Sequence, residues 1–372
     1  MTVRSVGVEE ELLLVAPGSG QPRAVAETVL RDIKEAHAAG DGSRDGDAAQ
    51  SLDFEIKRQQ LETNTRPCWD LDELGREVRR CRSLAAAVAA RAGARVAALA
   101  TSPVPVVPQL VREGRYLEMA RAFGLTAHEQ LSCGCHVHVG ISSPDEGVAV
   151  LDRIWPWLAV LLAISANSPF WQGRDSEYAS FRYQAWSRWP GAGPTDAFGT
   201  AEVYRQTVEQ MLATGTLLDA GMVYFDARLS EHYPTLEIRI ADVCLYSEDA
   251  VLIAALARAL VETEARRWRA GDDVPHPRTE ILRLAAWRAS RSGLDDDLVN
   301  PLTGRPEPAR AVTKALFEHV RDALEEAGDT PAVTELLTAV MARGNGATFQ
   351  RQAYHDGTLS RMVESAAALT SR

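Results

Sequence analysis

Val3-Arg4-Ser5-Val6-Gly7-Val8-Glu9-Glu10-Glu11-Leu12-Leu13-Leu14-Val15 is an apolar run interrupted by three consecutive acids. Its valine and leucine content, closed by a turn at Pro17, Gly18 and Gly20, suits an extended strand. Side chains in a strand alternate faces, so Glu9 and Glu11 share one face and Glu10 takes the other. That face is either solvated, as charged faces usually are, or carries two carboxylates roughly 6 to 7 Å apart, a spacing that suits hard, oxygen-seeking magnesium ions.

Working outward, Asp41 to Asp47 reads as a polar glycine-rich loop, and a second strand runs from Leu52 to about Thr63. Asp70 with Glu73 makes an N-cap for a helix whose apolar residues Leu71, Leu74, Val78, Cys81 and Val88 recur at helical spacing. Arg95 to Thr101 returns to strand, Ser132 to Ile141 alternates, Asp145 to Ala166 is helical, and Val223 to Ser230 with Thr235 to Val243 reads as a hairpin around Pro234. Helices are expected over roughly 248 to 270, 279 to 290, 307 to 327 and 330 to 342. Strands spread over the first two thirds with helices between and after them indicate an α+β protein with a mainly antiparallel sheet. Nothing divides residues 1–372, which are read as a single catalytic domain.

The composition narrows the function. With 372 residues, 46% of them hydrophobic, the chain can bury a large core. The longest apolar run, Ile154 to Ala166, is short for a membrane span, and no leader-like segment opens the chain, so no membrane partner and a cytoplasmic location are expected. A net charge of -11 argues against a nucleic-acid partner. The five cysteines form no CxxC pair and read as reduced, buried thiols. Three lysines stand against 37 arginines, and neither a P-loop nor a dinucleotide fingerprint is present.

Further chemistry-bearing clusters follow the triple acid. Glu55 and Glu62 stand seven apart, which puts them on opposite faces of an ideal strand unless a bulge returns both to one side. In Cys133-Gly134-Cys135-His136-Val137-His138-Val139-Gly140 the two histidines share a face, suited to one metal or an anion; the cysteines point oppositely, which excludes a compact zinc cluster. Asn167-Ser168-Pro169 through Ser180-Phe181-Arg182 is a loop rich in arginine and hydroxyls, in which Arg174 and Arg182 either grip a carboxylate or phosphate or lie on the surface. In Thr235-Leu236-Glu237-Ile238-Arg239-Ile240, Glu237 and Arg239 share a face, as functional groups or as a surface pair. Gly344 and Gly346 form either a backbone nest for phosphate or a helix ending.

Taken in order, Gly-Val-Glu-Glu-Glu, Gln-Leu-Glu-Thr-Asn-Thr, His-Val-His-Val-Gly, the Asn-Ser-Pro to Ser-Phe-Arg loop and Leu-Glu-Ile-Arg resemble the motifs of the type 2 glutamate-cysteine ligase family, also called YbdK-like carboxylate-amine ligases. The resemblance covers nearly the whole chain. It implies a cup-shaped, mainly antiparallel sheet related to the glutamine synthetase catalytic fold, holding ATP, two or three Mg²⁺ ions (or Mn²⁺) and the acid substrate. It places Glu9, Glu11, Glu55, Glu62, His138 and Glu237 as metal ligands. Arg239 falls to the nucleotide phosphate or the transferred phosphoryl group, and Arg174 and Arg182 to the substrate and phosphate loop; Gly344 and Gly346, read from the sequence alone, are the candidate nest beside the nucleotide. The implied reaction activates an acid as an acyl phosphate and joins it to an amine, both small molecules, with a homodimer as an open assembly state. The same parts suit a phosphotransferase or a metal-dependent hydrolase, while acids at every ligand position argue against a silent binding protein.

Overall fold

The computed structural model describes residues 3–31, 51–273 and 277–371; the expected loop at Asp41 to Asp47 lies outside them. The opening run forms β1 (Val6–Val15) at the centre of a seven-stranded sheet. The other members are β2 (Leu52–Phe54), β3 (Gln60–Asn64), β4 (Arg95–Ala97), β5 (Gly134–Gly140), β8 (Ala227–Leu229) and β9 (Thr235–Asp242). Their order is β2-β3-β1-β5-β9-β8, with β4 also against β1, and every pairing is antiparallel. Two ribbons lie apart: β6 (Phe170–Trp171) with β7 (Arg174–Asp175), and β10 (Asp297–Val299) with β11 (Pro306–Pro308).

Strand alternation decides what each sheet face does. Val6, Val8, Val137, Val139, Leu236, Ile238 and Ile240 point to one side, where they pack with apolar residues of helices Leu71–Arg91, Pro144–Ser165 and Ser247–Arg269. Burying each such aliphatic side chain contributes about 1.5–3 kcal/mol. Past Glu11 the strand is apolar on both sides, and Leu12 to Val15 enter a second core with Val96, Leu99, Met362 and Val363. The polar face is thus confined to the first half of β1 and its neighbours.

The helix starts follow the local chemistry. Asp70 accepts the Glu73 N–H at 2.8 Å, the expected cap, and Ser143 does the same for Glu146. Helix Pro144–Ser165 is long and apolar enough to cross a membrane, yet most of it is buried within the protein, as befits a core helix. All five cysteines are free and buried.

Two sequence expectations change. The run from Leu52 to Thr63 is not one strand with a bulge: β2 and β3 fold back on each other, pairing Asp53 with Glu62 and Phe54 with Leu61. A reversal, rather than an extra residue, sets the relation between Glu55 and Glu62. The stretch 307 to 327 also splits, into helices Ala309–His319 and Arg321–Ala327 after β11.

Candidate active site

A cavity of about 250 Å³ opens against the polar sheet face, lined by Glu9, Glu11, His136 and His138, by Glu55 and Glu62, and by Glu237 and Arg239. The register brings them together: Glu11 lies opposite Glu62, Glu9 opposite His136, and His138 opposite Glu237. Glu55 arrives from the end of β2 through the turn into β3. Glu10, 1% exposed, faces the helices and accepts two hydrogen bonds from Arg82, at 2.8 and 2.6 Å.

Two groups of ligand-type atoms result. Glu11, Glu55 and Glu62 each offer an oxygen within 4.8 Å of the others, and Glu9, His138 and Glu237 do the same with two oxygens and a ring nitrogen. The His138 Nδ1 lies 2.9 Å from Thr235 Oγ1 and Nε2 lies 3.1 Å from Glu9 Oε1, so the ring is held between a hydroxyl and a carboxylate. Orienting a ring through its other nitrogen is the usual support for a ligating histidine.

The electrostatics follow from crowding acids in a buried space. Burial, and then the nearby Glu55, push the Glu11 carboxyl up to about 8, against the opposing pull of Arg182 and the Gly134 N–H. Burial together with Glu9, Glu55 and Glu11 raises Glu62 well above the usual carboxylate range. Burial also works against the charge on Glu9, but His136 and His138 outweigh it and hold Glu9 low. Burial disfavours a charged His138, yet Glu9 and Glu237 prevail and raise its pKa. His136, by contrast, is brought down to about 4 by burial and by Arg239. Protons on Glu11, Glu62 and His138 therefore sit where positive charge is favoured, and a divalent cation would replace them. The donor set fits Mg²⁺ or Mn²⁺: five carboxylates and one imidazole, with no thiolate.

Glu237 is 2% exposed and takes Arg228 Nε at 2.7 Å on one oxygen and Arg239 on the other. These cations outweigh its burial and keep it ionised. Arg228 Nη2 also approaches the second oxygen at 3.4 Å, which leaves one of its roughly four acceptor positions for an ion. The guanidinium groups of Arg239 and Arg182 each lie 5.8 Å from the Trp186 ring centre, so the indole has two cations beside it.

Other sequence candidates lie elsewhere. Arg182 is 2% exposed and outside the cavity lining; its guanidinium donates to the Arg239 and Ile240 carbonyls. The two ends of the Asn-Ser-Pro to Ser-Phe-Arg loop are knotted around buried Asp242, which accepts from the Asn167 N–H, Ser168 Oγ and Ser180 Oγ at 2.7–2.8 Å. Its hydroxyls are thus spent inside the protein. Arg174 is exposed on β7 and does not line the cavity. Gly344 ends helix Thr330–Arg343 at φ +80°, and Gly346 opens the next helix, where a Cβ would meet Asn167 Oδ1 at 2.0 Å. The Asn345 side chain accepts the N–H groups of Ala347 and Thr348, which fills the nest a phosphate would need.

Several lining residues were not singled out in the sequence: Arg115, Tyr116, Trp186, Tyr224 and Arg228. They come from helix Gly114–Phe123, helix Phe181–Trp186 and the segment entering β8. Arg228 alone was findable, since it stands opposite Glu237 in the expected hairpin.

Comparison with known proteins bears on the family and the fold. A sequence model of "Glutamate-cysteine ligase family 2(GCS2)" matches residues 5–365. The chain is 53% identical over 350 residues to "Putative glutamate--cysteine ligase 2-1" of Streptomyces avermitilis, covering 94% of each chain. It is 49% identical over 371 residues to a protein of the same name from Paenarthrobacter aurescens, covering 100% of this chain and 96% of that one. Among solved structures it is similar to a glutamate-cysteine ligase from Francisella tularensis in complex with AMP, with TM-score 0.69 at 11% identity, covering 100% of this chain and 89% of that one. A bifunctional glutathione synthetase from Pasteurella multocida gives TM-score 0.68 at 15% identity, covering 99% and 53%. At these identities the two structures speak for the fold.

Proposed function

This chain belongs to the glutamate-cysteine ligase family 2, and from that premise we propose how its cavity works as an ATP-dependent carboxylate-amine ligase. The observation that carries the proposal is the convergence of Glu9, Glu11, Glu55, Glu62, His138 and Glu237 from four strands and a turn into one cavity beside Arg239. Glu11, Glu55 and Glu62 would hold one divalent cation and Glu9, His138 and Glu237 another. Such ions supply charge neutralisation to a polyphosphate, a task otherwise met by a P-loop lysine.

The reaction runs in two balanced steps. A carboxylate oxygen of the acid attacks the γ-phosphorus of ATP, its bond to the β-γ bridging oxygen breaks, and ADP leaves an acyl phosphate behind. The amine then attacks the acyl carbon, phosphate departs with the C–O bond electrons, and the amine loses a proton. Arg239 presents a planar, permanently charged fork to the equatorial oxygens of the moving phosphoryl group. Trp186 braces that fork from one side and Glu237 holds it from another. The relatives' names make glutamate and cysteine the first acid and amine to try, and ATP chemistry on small metabolites fits a cytoplasmic location.

The test supplies ATP, Mg²⁺ and glutamate without amine, and adds hydroxylamine. A hydroxamate formed with one ADP each is the expected result. ADP formation that ignores the acid, or turnover without ATP, would leave a phosphotransferase or hydrolase in its place.

A further inference from the structure

A second cavity, of about 440 Å³, is lined on one side by helix Ala201–Ala213 and on the other by β8. It meets the first at Arg228, Ser230 and Glu231, which line both. The junction lies on the phosphoryl side of the active site, because Arg228 Nε donates to Glu237 at 2.7 Å and Glu237 in turn holds Arg239. Pro144, Val208, Val223 and Leu229 give the second cavity an apolar wall. Helix Ala201–Ala213 has no fully buried residue, and its Tyr204 and Val208 line this space, so apolar surface there is still available to a ligand.

The charges select the occupant. Arg205 is taken by Glu202 and Glu209 on its own helix, and Arg228 is taken by Glu237 and by the Gly221 and Val223 carbonyls. Glu231, at the junction, makes no side-chain hydrogen bond or ion pair among the described residues. The acids Glu202, Glu209 and Glu231 therefore outweigh the one arginine they face, a field that repels a phosphate or a carboxylate and attracts an ammonium. The apolar wall suits a hydrocarbon better than the polar edge of a purine. We propose that this cavity takes the amine substrate, its ammonium against Glu231 and its side chain among Val208, Val223 and Leu229. The preferred amine then carries a bulky apolar body, since the single methylene and thiol of cysteine leave most of 440 Å³ unfilled. This rests on the ligase reading above and keeps its second step unchanged.

The experiment supplies ATP, Mg²⁺ and the acid that gives hydroxamate, and compares methylamine, n-pentylamine and cysteine by amine-dependent ADP release, with the amide identified by mass spectrometry. Each buried methylene is worth roughly fourfold, so kcat/KM for n-pentylamine exceeds that for methylamine by about 10²-fold, and it exceeds that for cysteine as well. Val208→Trp fills the cavity and brings the two alkylamines to within about threefold of each other. Glu231→Gln raises the KM for n-pentylamine roughly 3- to 10-fold but not that for hydroxylamine, which is uncharged at neutral pH. Equal kcat/KM for the two alkylamines in the wild type, or a preference for cysteine over both, overturns the proposal. A Val208→Trp protein that keeps the n-pentylamine preference overturns it too, and a raised KM for ATP in that protein would give the cavity to the nucleotide base instead. If Val208→Trp does not fold, the wild-type series and Glu231→Gln decide. Hydroxamate formed without discrimination among amines removes this subsite alone, whereas failure of every acid to give hydroxamate removes the ligase reading and the subsite with it.

Discussion

Glu9, Glu10 and Glu11 are adjacent and chemically identical, yet replacing each by glutamine should have a different effect. Glu10→Gln removes one partner of a fully buried pair, because Arg82 donates to both Glu10 oxygens and to the Cys244 and Leu245 carbonyls. Stranding the guanidinium costs about 3–5 kcal/mol. Unfolding entropy of about 2.1 cal/mol/K per residue over 372 residues converts this to a Tm lower by roughly 4 to 6 °C. Turnover per folded molecule should stay near that of the wild type, since the carboxylate faces the helices. Glu11→Gln should do the reverse. Its carboxyl is already driven up to about 8 by burial and Glu55, so a neutral amide relieves repulsion, and its oxygen still accepts the Gly134 N–H, now at 2.6 Å. Tm without metal should hold or rise, while turnover and the upward Tm shift on adding Mg²⁺ are largely lost. Glu9→Gln, beside both histidines, should also lose turnover. Thermal shift with and without Mg²⁺, paired with ADP release, reads all of these. An inactive Glu10→Gln at unchanged Tm, or an active Glu11→Gln with the wild-type magnesium response, would refute the assignment of faces.

Arg239→Lys keeps the charge but not the fork or the stacking on Trp186, and should slow turnover by roughly 10²-fold or more at unchanged fold; wild-type rates in that variant would reduce Arg239 to a partner of Glu237. ATP binding followed by calorimetry should require Mg²⁺ or Mn²⁺ and vanish in excess EDTA, whereas unchanged affinity would contradict the carboxylate sites. Glu146 lies away from the cavity: burial opposes its charge, but Arg4 and the Ser142 N–H outweigh it and lower its pKa from 4.5 to about 2. Because the folded value is depressed, its stabilisation is complete above pH 4.5 and is lost as pH falls toward 2. The Tm gap between wild type and Arg4→Met should therefore shrink from pH 6 to pH 3, and a gap constant with pH would exclude this linkage.

What the sequence revealed was what strand periodicity controls. Alternation assigned Glu9 and Glu11 to one face and Glu10 to the other, paired the two histidines, and put Glu237 with Arg239; the strand register then joined these sets. It misjudged Glu55 and Glu62, because a run of strand-forming residues does not show where the chain turns back, and a five-residue reversal without glycine or proline gives little turn signal. Arg182 and the loop around Asp242 are placed off the cavity lining for another reason. Arginine and hydroxyl groups look the same in a sequence whether they meet a substrate or a buried aspartate 62 residues away, as Ser180 does. Arg115, Tyr116 and Trp186 sit on short helices whose burial depends on tertiary packing alone.

In the acyl-phosphate route one carboxylate oxygen of the acid attacks phosphorus and departs in the phosphate. This route is tested most directly by supplying acid labelled with ¹⁸O in its carboxylates, together with ATP, Mg²⁺ and amine, and analysing the products by mass spectrometry. The account predicts one ¹⁸O in each inorganic phosphate released, with ADP as the other product. Unlabelled phosphate, or label found in AMP, would contradict it.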